Sequence, residues 1–353
     1  MEGRDFLLSP VRVLVVDDSA FMRQIISKIL EGDQEICVVG VARDGEDALS
    51  KIDRLNPDVL TLDLEMPKMD GLDCLAKIMG SKPMPIIVVS SWATEGAVKT
   101  LQALDLGAVD FVTKPVVSPS DAMWDIAEEL TAKVKVAAFA NLTAGSAAPV
   151  PSRFPAAARE LAADAAICCI AASTGGPRAL QSIVTRLPRQ FPMPVLLVQH
   201  MPLGFTRVFA ERLAEMTNLP IHEAENGEEL APTKILIAPA GLQTRVIGRP
   251  GNLRLRVGPN PVSVFRPSAD VTFGSIAETC GAKALGVILT GMGHDGAHGL
   301  LAMRQAGAPT VAEAAETCVV YGMPRTATEL GAAQLVLPLW EIPEAIMALT
   351  GLG

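Results

Sequence analysis

Short apolar runs alternate with amphipathic stretches along the first part of the chain. The runs have strand length, whereas the stretches between them repeat apolar residues at helical spacing. The predicted strands are Val11–Val16, Ile36–Val41, Val59–Leu62, Ile86–Val89 and Phe111–Thr113, and the predicted helices span 20–31, 46–55, 72–79, 97–106 and 120–139. Five β–α units of this size predict an α/β fold with a doubly wound, parallel sheet.

A second α/β pattern begins after residues 140–163, which lack this alternation and are rich in Ala, Pro and Ser. Its predicted strands are Ala166–Ala171, Val195–Val198, Ile235–Ile237, Leu285–Leu289, Thr310–Ala312 and Leu335–Leu337, with a hairpin over 242–257 and helices near 177–186, 206–216, 270–280, 296–306, 324–330 and 342–349. The predicted organisation is a first domain over residues 1–139, a linker over 140–163 and a second, Rossmann-like parallel-sheet domain over 164–353.

Charge and hydropathy narrow the classes of function. The 353 residues include 39 acidic and 30 basic side chains, and residues 1–139 contain 23 acids and 14 bases, so they carry the whole net charge of −9. A nucleic-acid-binding protein needs a basic surface, so we expect no nucleic-acid partner. The apolar runs fall well short of the roughly 18 residues that cross a bilayer, so we expect no insertion into a membrane.

The N-terminal segment and the cysteines bear on localisation. The sequence MEGRDFLLSP is too short and too acidic for a signal peptide. Six cysteines occur without CxxC spacing, and we expect all of them to be reduced core residues of a cytoplasmic protein. They are Cys37, Cys74, Cys168, Cys169, Cys280 and Cys318.

Five polar residues follow predicted strands of the first domain. Asp17 and Asp18 follow the first strand, and Asp63 follows the third. Three carboxylates at one sheet edge repel one another unless a cation intervenes, and hard oxygen ligands suit Mg²⁺, which also binds phosphate. Ser90, after the fourth strand, offers a hydroxyl, and Lys114, after the fifth, offers a positive charge to a phosphoryl group. The alternative is a set of solvated acids at strand ends, which the joint placement argues against.

This pattern resembles the receiver domain of two-component response regulators. The resemblance covers essentially the whole first domain and rests on the segments VLVVDDS, DVLTLDLEMPKMDGL, IIVVSS and GAVDFVTKP. It implies that Asp63 accepts a phosphoryl group from a sensor histidine kinase. It also implies that Asp17, Asp18 and Asp63 bind Mg²⁺, and that Ser90 and Lys114 contact the phosphoryl oxygens.

A serine, a histidine and an aspartate follow predicted strands of the second domain. Ser173 lies within STGGP, His200 within QHMP and Asp295 within TGMGHDG. Glycines directly after a strand permit a tight turn and place Ser173 beside N–H groups at the start of a helix. Parallel strands would bring the three together as nucleophile, base and the carboxylate that orients the base. The structural alternatives are helix N-caps for Ser173 and Asp295 and a packed histidine for His200.

The second domain resembles the chemotaxis protein-glutamate methylesterases of the CheB family. The segments ASTGGP, QHMPLGFT, FRPSADVTF, ILTGMGHDGAHGL and CVVYGMP support the resemblance, and the receiver–linker–esterase order agrees as well. It implies that Ser173, His200 and Asp295 form a catalytic triad that needs no cofactor. Met292 and Thr174 then lie in the loops that contribute to an oxyanion site.

The resemblance also implies an activity and partners. The protein would be a phosphorylation-activated serine esterase that removes methyl groups from glutamate methyl esters and deamidates glutamines on the cytoplasmic helices of methyl-accepting chemoreceptors. A chemotaxis sensor histidine kinase would be the phosphodonor, and the enzyme would be peripheral to receptor arrays. Two alternatives stay open, namely a non-enzymatic regulator and a nucleotide-dependent oxidoreductase that uses STGG as a phosphate loop. The second lacks GxGxxG and GKS/T motifs.

Some residues depart from the family's pattern or suggest other sites. Ala171 replaces the usual Gly, Gln243 stands where His is common, and Ala314-Ala315 replaces an acid or proline. His294 and His298 have the spacing of a zinc site, although no third ligand is evident.

Arginines predominate in the second half of the chain. Residues 140–353 contain 14 arginines and two lysines. Five of these arginines lie in or just after the predicted hairpin: Arg245, Arg249, Arg254, Arg256 and Arg266. They form either a solvated face or a surface for acidic partners, because Arg binds carboxylates through two hydrogen bonds.

Overall fold

The computed structural model of the chain describes residues 9–91, 94–114, 122–143, 165–259 and 263–349. The chain divides into two compact units, Met1–Leu142 and Thr143–Gly353, and each is described by itself. Residues 144–163 of the predicted linker lie outside the described residues.

The first unit is an open sheet of five parallel strands with intervening helices. The elements are β1 (Val11–Val16), α1 (Ala20–Glu31), β2 (Ile36–Ala42), α2 (Gly45–Leu55), β3 (Val59–Asp63), α3 (Gly71–Ser81), β4 (Ile86–Ser90), α4 (Thr94–Asp105), β5 (Asp110–Thr113) and α5 (Ala122–Ala137). The strand order is β2-β1-β3-β4-β5, and every neighbouring pair is parallel. The predicted doubly wound fold is therefore confirmed.

The second unit contains a parallel sheet and a separate hairpin. Its strands are β6 (Cys168–Ala172), β7 (Val195–Gln199), β8 (Ile221–Glu223), β9 (Ile235–Ile237), β10 (Gln243–Arg249), β11 (Asn252–Gly258), β12 (Leu285–Ile288), β13 (Thr310–Glu313) and β14 (Leu335–Leu337). Its helices are α6 (Gly176–Val184), α7 (Phe205–Met216), α8 (Ala269–Cys280), α9 (Ala297–Gln305), α10 (Met323–Glu329) and α11 (Ile342–Leu349). The seven-stranded sheet has the order β14-β13-β12-β6-β7-β9-β8, and β10 pairs with β11.

Burial explains why the central strands are continuous apolar runs. Every residue of β3, β4, β6 and β7 is buried, because helices cover both faces of a parallel sheet. Sequence reasoning missed β8, a three-residue strand at the edge of the sheet whose central residue, His222, is exposed.

The hairpin alternates buried and exposed positions, as a half-covered pair of strands should. Leu253 and Leu255 are buried in the core of the second unit, whereas Arg254 and Arg256 are exposed. Arg254 forms an ion pair with Glu229 of the same unit at 3.7 Å. These contacts favour the solvated-face interpretation of the arginine cluster.

The burial of the cysteines and the lengths of the helices can be compared with what the sequence predicts. The six cysteines are unpaired, and five are buried, but Cys37 is exposed on the edge strand β2, so the expectation of a core position was wrong for that residue. Within the part of the chain that is described, no helix has the length and apolar character needed to cross a membrane.

The contact between α3 and the end of β3 generates a stability prediction. A methyl group at Gly71 would lie 2.2 Å from the carbonyl oxygen of Asp63, which is backbone and cannot rotate away. Gly71→Ala should therefore lower the free energy of unfolding by about 1–3 kcal/mol. Urea denaturation followed by circular dichroism measures this change.

The matched control lies in the same helix. No atom lies within 4 Å of the corresponding position at Gly80, so Gly80→Ala should be neutral or stabilising by up to about 1 kcal/mol. Similar losses in both variants would contradict the steric explanation.

Candidate functional sites

Strand register brings the predicted carboxylates of the first unit together. Val16 of β1 pairs with Leu62 of β3, so the residues that follow them, Asp17 and Asp63, are neighbours. Asp17 is 0% and Asp63 is 2% exposed, whereas Asp18 is exposed. One ligand oxygen from each of the three aspartates lies within 4.8 Å of the others. The structure thus assembles the acidic cluster that the sequence predicts.

Lys114 contacts both buried aspartates. Its Nζ lies 2.7 Å from Asp63 Oδ2 and 3.0 Å from Asp17 Oδ2. Burial raises the pKa of Asp63, and the hydrogen bond and charge of Lys114 oppose this only in part. Burial alone would lower the pKa of Lys114, but the two aspartates raise it above its ordinary value. A protonated amine is therefore held beside Asp63.

The donor set of this cluster fits a magnesium ion. Backbone N–H groups orient the two buried carboxylates, from Ser19 to Asp17 Oδ1 at 2.9 Å and from Glu65 to Asp63 Oδ1 at 3.2 Å. Together with the exposed Asp18 they offer hard oxygen ligands and an open side for water and phosphate, as Mg²⁺ requires. The aspartates that would hold the ion are therefore those expected from the sequence.

Ser90 lies beside Lys114, but its hydroxyl contacts α4. Lys114 N donates to Ser90 O at 2.7 Å across β4 and β5. Ser90 Oγ accepts a hydrogen bond from Thr100 Oγ1 at 2.6 Å and donates to Gly96 O at 3.3 Å. Among the described residues, no hydrogen bond joins Ser90 to Asp63. Sequence reasoning missed Thr100, although a polar residue on the buried face of a helix is a usable signal.

The second unit places Ser173 and His200 on adjacent strands. Ala172 of β6 pairs with Gln199 of β7, and each is followed directly by one of these two residues. His200 N donates to Ala172 O at 3.2 Å, and on the other side Ser173 N donates to Thr290 O at 3.1 Å, just after β12. The position of β6 between β12 and β7 thus brings together the three segments that the sequence singles out.

Asp295 is buried and hydrogen-bonded to His200. His200 Nε2 lies 2.8 Å from Asp295 Oδ2, and Asp295 is 3% exposed. At the start of α8, Ser268 Oγ and the backbone N–H groups of Ala269 and Asp270 also donate to this carboxylate, at 2.8, 2.6 and 3.2 Å. Burial raises the pKa of Asp295, but the bonds from His200, Ala269 and Ser268 outweigh it and the net pKa is lowered. Asp295 is therefore ionised at neutral pH and can stabilise a protonated imidazole.

The imidazole contacts the aspartate through Nε2, which leaves Nδ1 to accept a proton from the serine. The Phe265 ring stacks on it, with centroids 4.9 Å apart and planes inclined by 6°. Ser173 is half-buried, and within the described residues its hydroxyl makes no hydrogen bond to His200. Catalytic hydrogen bonds of this kind often close only when substrate is bound.

The loop after β12 passes very close to Ser173. A methyl group at Gly291 would lie 2.8 Å from Ser173 Cβ, so only glycine allows this approach. The next residue, Met292, is half-buried, and its N–H has no acceptor among the described residues. The N–H of Ser173 is already bonded to Thr290 O. Of these two N–H groups, that of Met292 is the one left without an acceptor, and its oxyanion role stays a prediction.

Thr290 connects the serine turn to a buried glutamate. Its Oγ1 donates to Thr174 O at 3.0 Å, and its N–H donates to Glu313 Oε2 at 2.8 Å. Glu313 ends β13 and is 0% exposed. Burial raises its pKa to about 7, although the bond from Thr290 acts in the opposite direction. Sequence reasoning missed both residues; an acid that ends an apolar strand is the available signal.

The zinc alternative gains no support from the structure. His294 and His298 are exposed, and Asp295 between them is occupied by His200, Ser268 and Ala269. Among the described residues, the one cluster of three candidate metal ligands is the aspartate group of the first unit.

Comparisons with known proteins match both domains of the chain. The family model for the CheB methylesterase matches residues 168–346, and the model for the response regulator receiver domain matches residues 13–123. A protein-glutamate methylesterase/protein-glutamine glutaminase of Symbiobacterium thermophilum is 47% identical over 99% of both chains. One from Escherichia coli strain 536 is 44% identical over 98% of this chain and 99% of its own.

A solved structure of a methylesterase catalytic domain also matches part of the chain. The catalytic domain of the CheB methylesterase of Thermotoga maritima is 40% identical, with a TM-score of 0.50 over 54% of this chain and 99% of its own. The chain therefore belongs to the CheB methylesterase family, in the form that carries an N-terminal receiver domain.

The raised pKa of Glu313 generates a prediction for the pH dependence of stability. Its pKa is about 7 in the folded protein and 4.5 in its ordinary state, so the unfolded chain loses this proton at lower pH. Unfolding is then favoured increasingly as the pH rises from about 4.5 to 7. Glu313→Gln removes this effect, so the free energy of unfolding of the variant minus that of wild type should be larger by about 2–3 kcal/mol at pH 8 than at pH 5.

Urea denaturation of both proteins at the two pH values measures this difference. All other ionisable groups are common to both proteins, so their contributions cancel. A difference that does not change with pH would show that Glu313 is ionised in the folded protein throughout this range.

Proposed function

We propose that this member of the CheB methylesterase family is a phosphorylation-activated serine esterase, which hydrolyses glutamate γ-methyl esters and deamidates glutamines on the cytoplasmic helices of chemoreceptors. The observation that carries the proposal is the 2.8 Å contact between His200 and buried Asp295, with Ser173 next to His200 on the adjacent strand. The names of the relatives give the two activities.

In the proposed reaction Ser173 is the nucleophile, His200 is the general base and Asp295 orients His200. Ser173 Oγ attacks the side-chain carbonyl carbon of the ester while His200 Nδ1 takes the hydroxyl proton. Collapse of the tetrahedral intermediate breaks the bond to the methoxy oxygen, which leaves as methanol with the proton from His200. A water molecule then attacks the acyl-enzyme by the same route and releases the glutamate. With a glutamine substrate, ammonia leaves in place of methanol.

Charge develops on the carbonyl oxygen during attack, and Met292 N–H is the donor proposed to stabilise it. Thr174, which is buried beside Ser173, belongs to the same turn, and its carbonyl is held by Thr290 Oγ1. Asp295 keeps its charge because four donors surround it, so it orients His200 throughout the cycle. The triad needs no cofactor in this scheme.

The receiver domain supplies regulation. A carboxylate oxygen of Asp63 attacks the phosphorus of a phosphohistidine on the sensor kinase; the P–N bond breaks, the histidine leaves, and Asp63 becomes an aspartyl phosphate. Asp17, Asp18 and Asp63 would hold Mg²⁺, whose positive charge would offset the charge of the phosphoryl group. Lys114 Nζ then pairs with a phosphoryl oxygen instead of the Asp63 carboxylate, and Ser90 Oγ turns from Gly96 O to donate to another.

The proposed partners follow from these two activities. A chemotaxis sensor histidine kinase is the phosphodonor, and methyl-accepting chemoreceptors are the substrate. The enzyme then works in the cytoplasm, peripheral to the receptor arrays, without entering the membrane. Nucleic acid is not a proposed partner, in keeping with the net charge of −9.

The nucleophile assignment predicts the effect of Ser173→Ala. Loss of the attacking oxygen should reduce methanol release from methylated receptor membranes by at least about 1,000-fold, because a triad acts as a unit. Ser182→Ala, in α6 of the same unit, is the control and should retain wild-type release. Full activity of Ser173→Ala would refute the assignment, and no release by wild type would favour a non-enzymatic regulator.

The phosphorylation assignment predicts the effect of Asp63→Asn. The amide does not accept a phosphoryl group, so basal methanol release should persist while stimulation by acetyl phosphate is lost. Asp53→Asn, which alters a highly exposed acid of α2, should be stimulated like wild type. Equal stimulation of Asp63→Asn and wild type would exclude Asp63 as the acceptor.

A further inference from the structure

Gln243 is a buried amide with both ends hydrogen-bonded to one segment of chain. It is 2% exposed and begins β10. Its Nε2 donates to Phe265 O at 2.6 Å, and its Oε1 accepts from Ser268 N at 2.9 Å. We call these two hydrogen bonds the Gln243 clamp. The clamp fixes the segment from 265 to 268 at both of its ends.

The two residues that the clamp holds are those that contact the His200–Asp295 pair. The ring of Phe265 stacks on the imidazole at 4.9 Å between centroids. The hydroxyl of Ser268 donates to Asp295 Oδ1 at 2.8 Å. One side chain therefore supports both the base and the carboxylate that orients it.

The position of Phe265 depends on the hydrogen bond that its carbonyl oxygen accepts from Gln243. Phe265 is 39% exposed, so packing alone holds its ring weakly in place. Among the described residues, Gln243 provides the one hydrogen bond to its carbonyl oxygen. Gly241 N also donates to Arg266 O at 2.9 Å, and Phe265 N donates to Ser263 Oγ at 3.2 Å. Loss of the Gln243 bond would therefore loosen the ring against the imidazole rather than release the segment.

Gln243 itself is firmly anchored. It pairs with Gly258 of β11 at the end of the hairpin. The next residue, Thr244, accepts a hydrogen bond on its carbonyl from Thr272 Oγ1 of α8 at 2.9 Å. The clamp thus connects a regular hairpin and α8 to the more exposed segment that borders the His200–Asp295 pair.

We infer that Gln243 is a positioning residue of the esterase site, which keeps Phe265 against His200 and Ser268 on Asp295 through one amide. This inference rests on the proposed function. A histidine, which the family's pattern favours here, makes the same two bonds only when neutral, since its two ring nitrogens then offer one donor and one acceptor. The amide makes both bonds at any pH.

The first test removes the clamp without changing the size of the side chain much. In the full-length, acetyl-phosphate-activated enzyme, Gln243→Met should lower kcat for methanol release by about 10- to 100-fold, with KM changed less than about twofold. Gln334→Met is the matched control, because Gln334 Oε1 also accepts a backbone N–H, from Thr310 at 3.0 Å, but at another part of the sheet. Circular dichroism and thermal melting verify that both variants fold.

The second test asks whether Gln243 acts through its two partners. Phe265→Ala and Ser268→Ala should each lower kcat, and adding Gln243→Met to the double variant should cause little further loss, because coupled residues are not additive. Full additivity would overturn the inference, as would wild-type kcat in Gln243→Met or an equal loss in Gln334→Met.

The third test uses Gln243→His, which also covers the case in which Gln243→Met does not fold. This variant should have near wild-type activity at pH 8 and lose it more steeply than wild type towards pH 6, where a protonated imidazole no longer accepts from Ser268 N. The neighbouring charged groups Arg266, Asp270, Asp295 and His200 are common to both enzymes. Parallel pH profiles would overturn the inference. A wild type that releases no methanol and does not react with a fluorophosphonate at Ser173 would instead refute the proposed function.

Discussion

Parallel alignment of strand ends is the constraint on which both sites depend. In a parallel sheet each carboxyl end lies beside that of its neighbour, so a polar residue placed one step after an apolar run meets its counterpart on the next strand. Asp17 meets Asp63 in this way, and Ser173 meets His200. A shift of one residue in either pairing would turn these side chains to the opposite face of the sheet.

Burial raises the pKa of both Asp295 and Asp63, but the net shifts have opposite directions because the donors around the two carboxylates differ. Asp295 has a hydroxyl, two backbone N–H groups and an imidazole around it, and its net pKa is lowered despite burial. Asp63 relies on Lys114 and one backbone N–H, and its pKa is raised. Under the proposed function, lasting charge suits Asp295, which only orients a base.

The parts of the fold that the sequence predicted correctly are those set by local pattern. Continuous apolar runs predicted the long buried strands. The residues directly after them predicted the acidic cluster and the positions of Ser173 and His200, and the glycine-rich loop after β12 predicted that of Asp295. The supporting residues could not be found in this way. Gln243 contacts residues 22 and 25 positions away, and Thr290 contacts Glu313 at 23 positions, so a single sequence gives no sign of these pairs.

Each site lacks, among the described residues, one hydrogen bond that the proposed chemistry would use. Ser90 Oγ contacts Thr100 and Gly96 rather than Asp63, and Ser173 makes no bond to His200 within the described residues. Exchanging a neutral hydrogen bond worth about 0.5–1.5 kcal/mol for one to a charged phosphoryl oxygen worth about 1.5–3 kcal/mol favours the rotated hydroxyl. Under the proposed function, the Ser90 hydroxyl would therefore turn from Gly96 O towards a phosphoryl oxygen on Asp63.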